Sequence, residues 1–200
     1  MKEQLKDFKK HRFAKVFVRK YPWDIDTDIY PAERQNYIND SNNIKVRQQR
    51  LFVWKLLEYV IEQDMGLDMS KLKFDRVGGR WICDEFEFSL SHTGNIVAVA
   101  ISDKPIGVDI EFVGNEKFER LKSSSFCCEE EIKTGNDNAM LWTAKEAIFK
   151  SLHKTVFRPL DIDSTQYDYS SYRMSNDNIL MCVAGVEDQY IDLVIMDDLT

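Results

Sequence analysis

Apolar positions recur with two different periods along this chain. After "RFAKVFVRKY", which alternates as a first strand does, the stretch "KVRQQRLFVWKLLEYVIEQDMG" places Val46, Val53, Leu57, Val60 and Ile61 at helical spacing. Gly66 is positioned to end that element, so a long amphipathic helix with one buried face is predicted. "FEFSLS" alternates strictly, with Phe86, Phe88 and Leu90 on one side and Glu87, Ser89 and Ser91 on the other. "HTGN" supplies turn residues and "NIVAVAIS" is almost wholly apolar, the pattern of a hairpin whose second strand is buried on both faces. A turn at "DKP" leads to a strand over 106–112, which predicts an antiparallel meander packed on the helix. A second helix follows in "NAMLWTAKEAIFKSLH", its stripe formed by Leu141, Ala144, Ile148 and Leu152. "ILMCVAGV" and "QYIDLVIM" read as later strands between Asn, Asp and Ser turns. Helix and strands thus occur twice in similar order, so the expectation is an α+β fold of two halves, each of roughly 100 residues.

Composition narrows the class without naming a chemistry. A length of 200 residues with 44% hydrophobic and 30% charged residues suits an ordinary soluble globular protein with a real core. The net charge of −7 argues against a general nucleic-acid binder, because such binding rests on clustered Lys and Arg. Cys83, Cys127, Cys128 and Cys182 form no C-x-x-C pair and have no nearby His cluster, which argues against zinc. "MKEQLKDFKKHRF" lacks the apolar core of a signal peptide and no run reaches the length of a membrane span, so a cytoplasmic protein with reduced thiols is expected.

Candidate chemistry sits in short, separate stretches. In "PIGVDIE", Ile106, Val108, Ile110 and Phe112 share one face of the strand and Asp109 and Glu111 the other. Two carboxylates on one face suit a hard cation such as Mg²⁺, although the strand alone favours the acidic solvent face of an ordinary sheet. Trp142, Glu146 and Lys150 lie four residues apart in turn and form a ridge beside the apolar stripe, where a Glu-to-Lys pair is commonly a modest helix stabiliser. His92 stands where a strand gives way to a turn, a place for ligand contact or for simple solvation. Arg47 and Arg50 share a helix face that can bind phosphate or merely be solvated. "VGGRW" at 77–81 lacks the spacing of a phosphate-binding P-loop and reads as a turn.

The order of three of these stretches carries more than any one of them. "FSLSHTG", "PIGVDIE" and "WTAKEAIFK" together closely resemble the motif series of the Sfp-type 4′-phosphopantetheinyl transferases, enzymes that activate carrier proteins. The resemblance runs from about residue 46 to the strand after Pro159, over half of the chain. It implies a fold of two similar α+β halves related by a pseudo-twofold, each a small antiparallel sheet on a long helix, with a boundary near Pro105. The halves would be 1–105 and 106–200, the second carrying the metal ligands, with coenzyme A in the cleft between them. It implies Mg²⁺, or Mn²⁺ in its place, bound by Asp109, Glu111 and Glu146, with Glu146 and Lys150 catalytic. Arg50, Arg80, Ser91, His92, Lys145 and Lys150 are the implied coenzyme A contacts, His92 reaching the 3′-phosphate, and Glu130 is placed near the metal. The implied reaction moves phosphopantetheine to a serine of an apo acyl or peptidyl carrier protein and releases 3′,5′-ADP. The enzyme is expected to act as a monomer of pseudo-dimer architecture. Carriers of fatty-acid, polyketide and peptide synthesis all take this modification, and an acidic carrier would need a local basic or apolar docking patch on this acidic chain.

Three departures from the family pattern bear on activity. His153 and Thr155 stand where glycines are expected, Trp81 replaces a proline, and the usual basic cluster before the long helix is thinned to "PAERQNY", leaving Arg34 as its main cation. The alternatives are a degenerate homologue that binds coenzyme A without transfer and an unrelated Mg²⁺-dependent phosphohydrolase.

Overall fold

The computed structural model describes residues 13–22, 32–174, 178–185 and 190–196. The predicted long helix is α2 (Ile44–Tyr59), preceded by a short α1 (Ala32–Asn39) that periodicity had not signalled. Asn43 caps α2 by accepting from the Lys45 amide, a π-helical turn continues it over Val60–Asp64, and Gly66 follows with φ of 64°. Its apolar face, including Phe52, Trp54, Leu57 and Ile61, is fully buried.

The alternating segments become two sheets. The first has the order β4 (Glu87–Thr93), β5 (Ile96–Ser102), β1 (Phe13–Lys20) and β9 (Tyr190–Met196), with β9 parallel to β1 and the other pairs antiparallel. A two-stranded hairpin of β2 (Phe74–Val77) and β3 (Arg80–Cys83) stands apart from it. The second sheet is antiparallel, in the order β6 (Gly107–Phe112), β8 (Ile179–Ala184) and β7 (Tyr169–Met174). Between β6 and β7 lie α3 (Glu116–Arg120), α4 (Glu129–Lys133) and the predicted second helix, α5 (Asn138–Ser151).

Burial follows four layers. Val97, Val99 and Ile101 of β5 face α2, while Ile96, Ala98 and Ala100 face Val108, Ile110, Met181 and Val183 of the second sheet. Cys182 and Ala184 on the far side of that sheet pack against Ala144, Ala147 and Ile148 of α5. The run "NIVAVAIS" is apolar throughout because both of its faces are interior.

Two expectations are corrected. The strand over 106–112 does not complete a meander, because β1 occupies the free edge of β5 and β6 joins the second sheet instead. Leu152 is 38% exposed rather than part of the buried stripe, since α5 ends at Ser151. The division expected at Pro105 separates the two sheets except for β9, which returns across it to pair with β1. No described helix is long and apolar enough to cross a membrane.

Candidate active site between the two sheets

The two sheets meet along β4 and β6, and they are joined there by side chains rather than by a backbone ladder. Ser89 Oγ accepts from the Val108 amide at 3.0 Å, and Ser91 Oγ accepts from the Ile110 amide at 3.2 Å. Hydroxyls of one strand thereby satisfy edge amides of the other, which would be costly to bury unpaired. The polar side of β4 beyond Glu87 is therefore a seam: Ser89, Ser91 and Thr93 are all buried. Gly107 performs the matching service toward α5, where a Cβ would overlap the Ala147 carbonyl oxygen and the Ser151 amide nitrogen. Only a glycine lets β6 lie this close to the helix, and two residues later the strand presents Asp109 to it.

Asp109 is 4% exposed, which removes the solvent-face reading of "PIGVDIE". Its Oδ1 accepts from Ser91 Oγ at 2.7 Å and from Lys150 Nζ at 2.8 Å, while its buried Oδ2 has no partner. Lys150 also donates to the Val108 carbonyl at 2.9 Å, so the pair expected along the helix with Glu146 is replaced by one across to β6. Glu111 takes Lys117 Nζ on Oε1 and is 3.5 Å from Thr93 Oγ1 through Oε2. Glu146 Oε1 accepts from Trp142 Nε1 at 2.7 Å, as the spacing of four residues allows.

These carboxylates influence one another. Burial, and then the charge of Asp109 with a smaller push from Glu111, raises the Glu146 carboxyl to about 7 against the opposing pull of Lys150. Burial also raises Glu111, opposed by Lys117. Three acidic oxygen donors, one with an orphaned buried oxygen and two reluctant to ionise beside it, suit a hard divalent cation. Mg²⁺ would be held by Asp109, Glu111 and Glu146, the residues implied by the resemblance. The group of described residues whose ligand atoms all come within 4.8 Å is a different one, Cys128, Glu131 and Asp163, but both Glu131 oxygens there are already engaged.

Lys150 connects the carboxylates to a cleft of about 450 Å³ lined from one side by the β2–β3 hairpin and β4 and from the other by residues 149–157. Its walls mix rings such as Trp81, Phe88 and Phe157 with the cations Arg80, Lys150 and Lys154. Arg80 donates to the Lys150 carbonyl at 3.1 Å and to Glu87 at 3.2 Å, which holds the guanidinium at the cleft wall. His92 lines the cleft with an exposed surface. Crowding by the protein, then the charge of Lys150, holds its pKa below the usual imidazole range, tempered by that exposure. Arg50 donates to the carbonyls of Tyr37 and Asp40, stacks 4.5 Å from the Tyr37 ring centroid, and adds to the positive charge around His92.

The structure also separates residues that the motifs had grouped. Lys145 does not line the cleft: it is fully buried, paired with Glu131 at 2.7 Å, and donates to the carbonyls of Pro159 and Ile162. Arg34 is 9% exposed and lies over the rings of Trp54 and Phe74, away from a phosphate-gripping role. Glu130 is exposed on α4 with Lys133 at 3.9 Å, and its neighbour Glu131 is the buried member of "EEE". That neighbour was missed, as was Lys117, because neither a run of like residues nor a short helix shows which side faces inward. Trp81 is core, edge-on to Trp54 at 4.9 Å.

One of the two altered glycine positions keeps the geometry that glycine favours. His153 holds φ of 55° and reaches Glu87 at 3.1 Å. Thr155 fits because residue 78 is glycine: a Cβ there would overlap the Thr155 methyl.

The chain matches the family model of the 4′-phosphopantetheinyl transferase superfamily over residues 105–179, a segment that includes Asp109, Glu111, Glu146 and Lys150. It is 28% identical over 117 residues to 4′-phosphopantetheinyl transferase Sfp of Bacillus subtilis (strain 168), covering 53% of this chain and 52% of that one. It is 24% identical over 176 residues to 4′-phosphopantetheinyl transferase gsp of Aneurinibacillus migulanus, covering 78% and 74%. The chain therefore spans about half the length of the first relative and about three quarters of the second.

Proposed function

We propose that this chain, a relative of the Sfp-type 4′-phosphopantetheinyl transferases, transfers phosphopantetheine from coenzyme A to a serine of an apo acyl or peptidyl carrier protein. The observation that carries the reading is a single junction: Lys150 lines the cation-bearing cleft and also pairs with Asp109, whose second oxygen is buried without a partner. In this reading the cleft takes coenzyme A between two pseudo-twofold halves, 1–105 and 106–200, with β9 lent to the first. Both walls come from one chain, which supports action as a monomer.

Mg²⁺ bound by Asp109, Glu111 and Glu146 would supply charge neutralisation at the pyrophosphate oxygens. Arg80 and His92 bind phosphate at the cleft wall, and Arg50 strengthens the field there. Lys150 neutralises negative charge that grows on the oxygens of the phosphoryl group in flight. Glu146, one oxygen held by Trp142, receives the proton of the serine hydroxyl through a water that it orients, as the serine oxygen attacks the β-phosphorus. A new P–O bond to serine forms, the bond to 3′,5′-ADP breaks, and ADP leaves with the electron pair. Positioning and electrostatics do most of the work in such transfers.

The test is to incubate the protein with apo carrier, coenzyme A and Mg²⁺ and follow the carrier by intact mass. The expected result is a gain of one phosphopantetheine with release of 3′,5′-ADP. Coenzyme A binding with no mass gain on any apo carrier would leave the binding-only alternative standing.

A further inference from the structure

The segment that closes one side of the cleft has a second face that the transfer chemistry does not use. From Ala147 to Leu160 the chain contains no Asp or Glu, although the whole protein carries a net charge of −7. Within it, Phe157 turns inward between Trp142 and Phe149, with ring centroids 5.4 and 5.2 Å away, and Thr155 packs at Gly78. Interleaved with these, Lys154, Val156, Arg158 and Leu160 are exposed, Val156 and Leu160 at 62% each. Among the described residues neither the Lys154 ammonium nor the Arg158 guanidinium has a hydrogen-bond or ion-pair partner. Two large apolar side chains held open to water and alternating with two unpaired cations, on an anchored segment, are the composition of a recognition surface rather than of a solvated loop.

We infer that residues 154–160 form the docking strip for the carrier protein, taking an acidic surface with an apolar ridge beside the serine to be modified. This rests on the transfer reading, since a serine that must reach Lys150 brings its own protein's surface onto the rim of this cleft. Lys154 belongs to both the cleft lining and the strip, so the two are continuous. Charge favours the partner: the strip is a cationic, acid-free stretch at the cleft rim of a chain whose net charge is −7, so it attracts an acidic surface there.

The experiment measures the Kd of a fluorescently labelled apo acyl carrier protein by anisotropy for the wild type, Arg158→Glu, and the double variant Val156→Glu with Leu160→Glu. Each variant should weaken carrier binding at least about tenfold, while coenzyme A affinity and the thermal midpoint stay at wild-type values. The loss from Arg158→Glu should shrink at high salt, because screening weakens exposed charge pairs. Unchanged carrier binding in both variants overturns the inference, as does a wild type that binds no carrier. A wild-type dimer dispersed by the double variant in sedimentation velocity overturns it in favour of self-association. The transfer reading fails separately, as intact binding of carrier and coenzyme A without mass gain.

Discussion

Two lysines on α5 face opposite fates. Lys145 and Lys150 are five residues apart, which at about 3.6 residues per turn sets them on different sides of the helix. Each meets a buried carboxylate, Glu131 at 2.7 Å and Asp109 at 2.8 Å. Around Glu131 every oxygen is used: Oε1 takes the Ser164 amide and hydroxyl, and Oε2 takes the Cys128 amide and Lys145. Around Asp109 one oxygen is orphaned, Glu111 and Glu146 lie within electrostatic reach, and Lys150 keeps 24% of its side chain exposed at the cleft. Complete satisfaction marks the first pair as a rivet between α4, α5 and the segment at 164. Incomplete satisfaction marks the second as a place prepared for something else.

Breaking the rivet should produce the largest effect. Glu131→Ala leaves Lys145 charged and unpaired in the interior, a loss of about 3–5 kcal/mol of stability, measurable by urea denaturation. Asp109→Asn should invert the pattern. It keeps the Ser91 contact, and Lys150 still reaches the Val108 carbonyl and solvent, so stability changes little. Transfer should nevertheless fall by about 10²–10³ in kcat, followed by carrier mass. An equal stability loss in both variants would erase the distinction between the two pairs.

Removal of divalent cation should sharpen it. The folded-state Glu146 carboxyl lies at about 7, above its ordinary 4.5, so its contribution to stability is complete below the ordinary value and is lost as pH rises through about 7. Metal-free protein should therefore lose thermal stability between pH 5 and 8. Added Mg²⁺, which takes the ionised carboxylates, should raise the midpoint more at pH 8 than at pH 5.5. The smallest effect belongs to the half-exposed Glu87, whose carboxylate holds both His153 and Arg80. Glu87→Gln should cost under about 1 kcal/mol, read from the same denaturation curves.

Much of the fold was legible because burial leaves a period. The long helix, the doubly buried "NIVAVAIS" strand and α5 all emerged from spacing, and the facing of Asp109 and Glu111 away from Val108 and Ile110 followed from alternation. What spacing could not supply was a partner. It read Ser89 and Ser91 as the polar side of a strand, whereas they serve as hydrogen-bond acceptors for the amides of β6. It placed Lys145 beside Lys150 by motif, whereas one turn of helix decides which of them meets Glu131. The family resemblance pointed to Glu130 among three consecutive glutamates, and only α4 packing picks out Glu131.

The sequence by itself determined the two long helices, the central strands, most of their inward faces and the residue types at the candidate site, because periodicity and motif spacing are local properties of the chain. The tertiary structure decided which charges were satisfied. β6 approaches α5 closely at Gly107, the two sheets meet at a serine seam, and these long-range contacts leave Asp109 with an oxygen to spare while Glu131 has none. Satisfaction of a buried charge depends on every neighbour packed around it, and those neighbours are far apart in sequence.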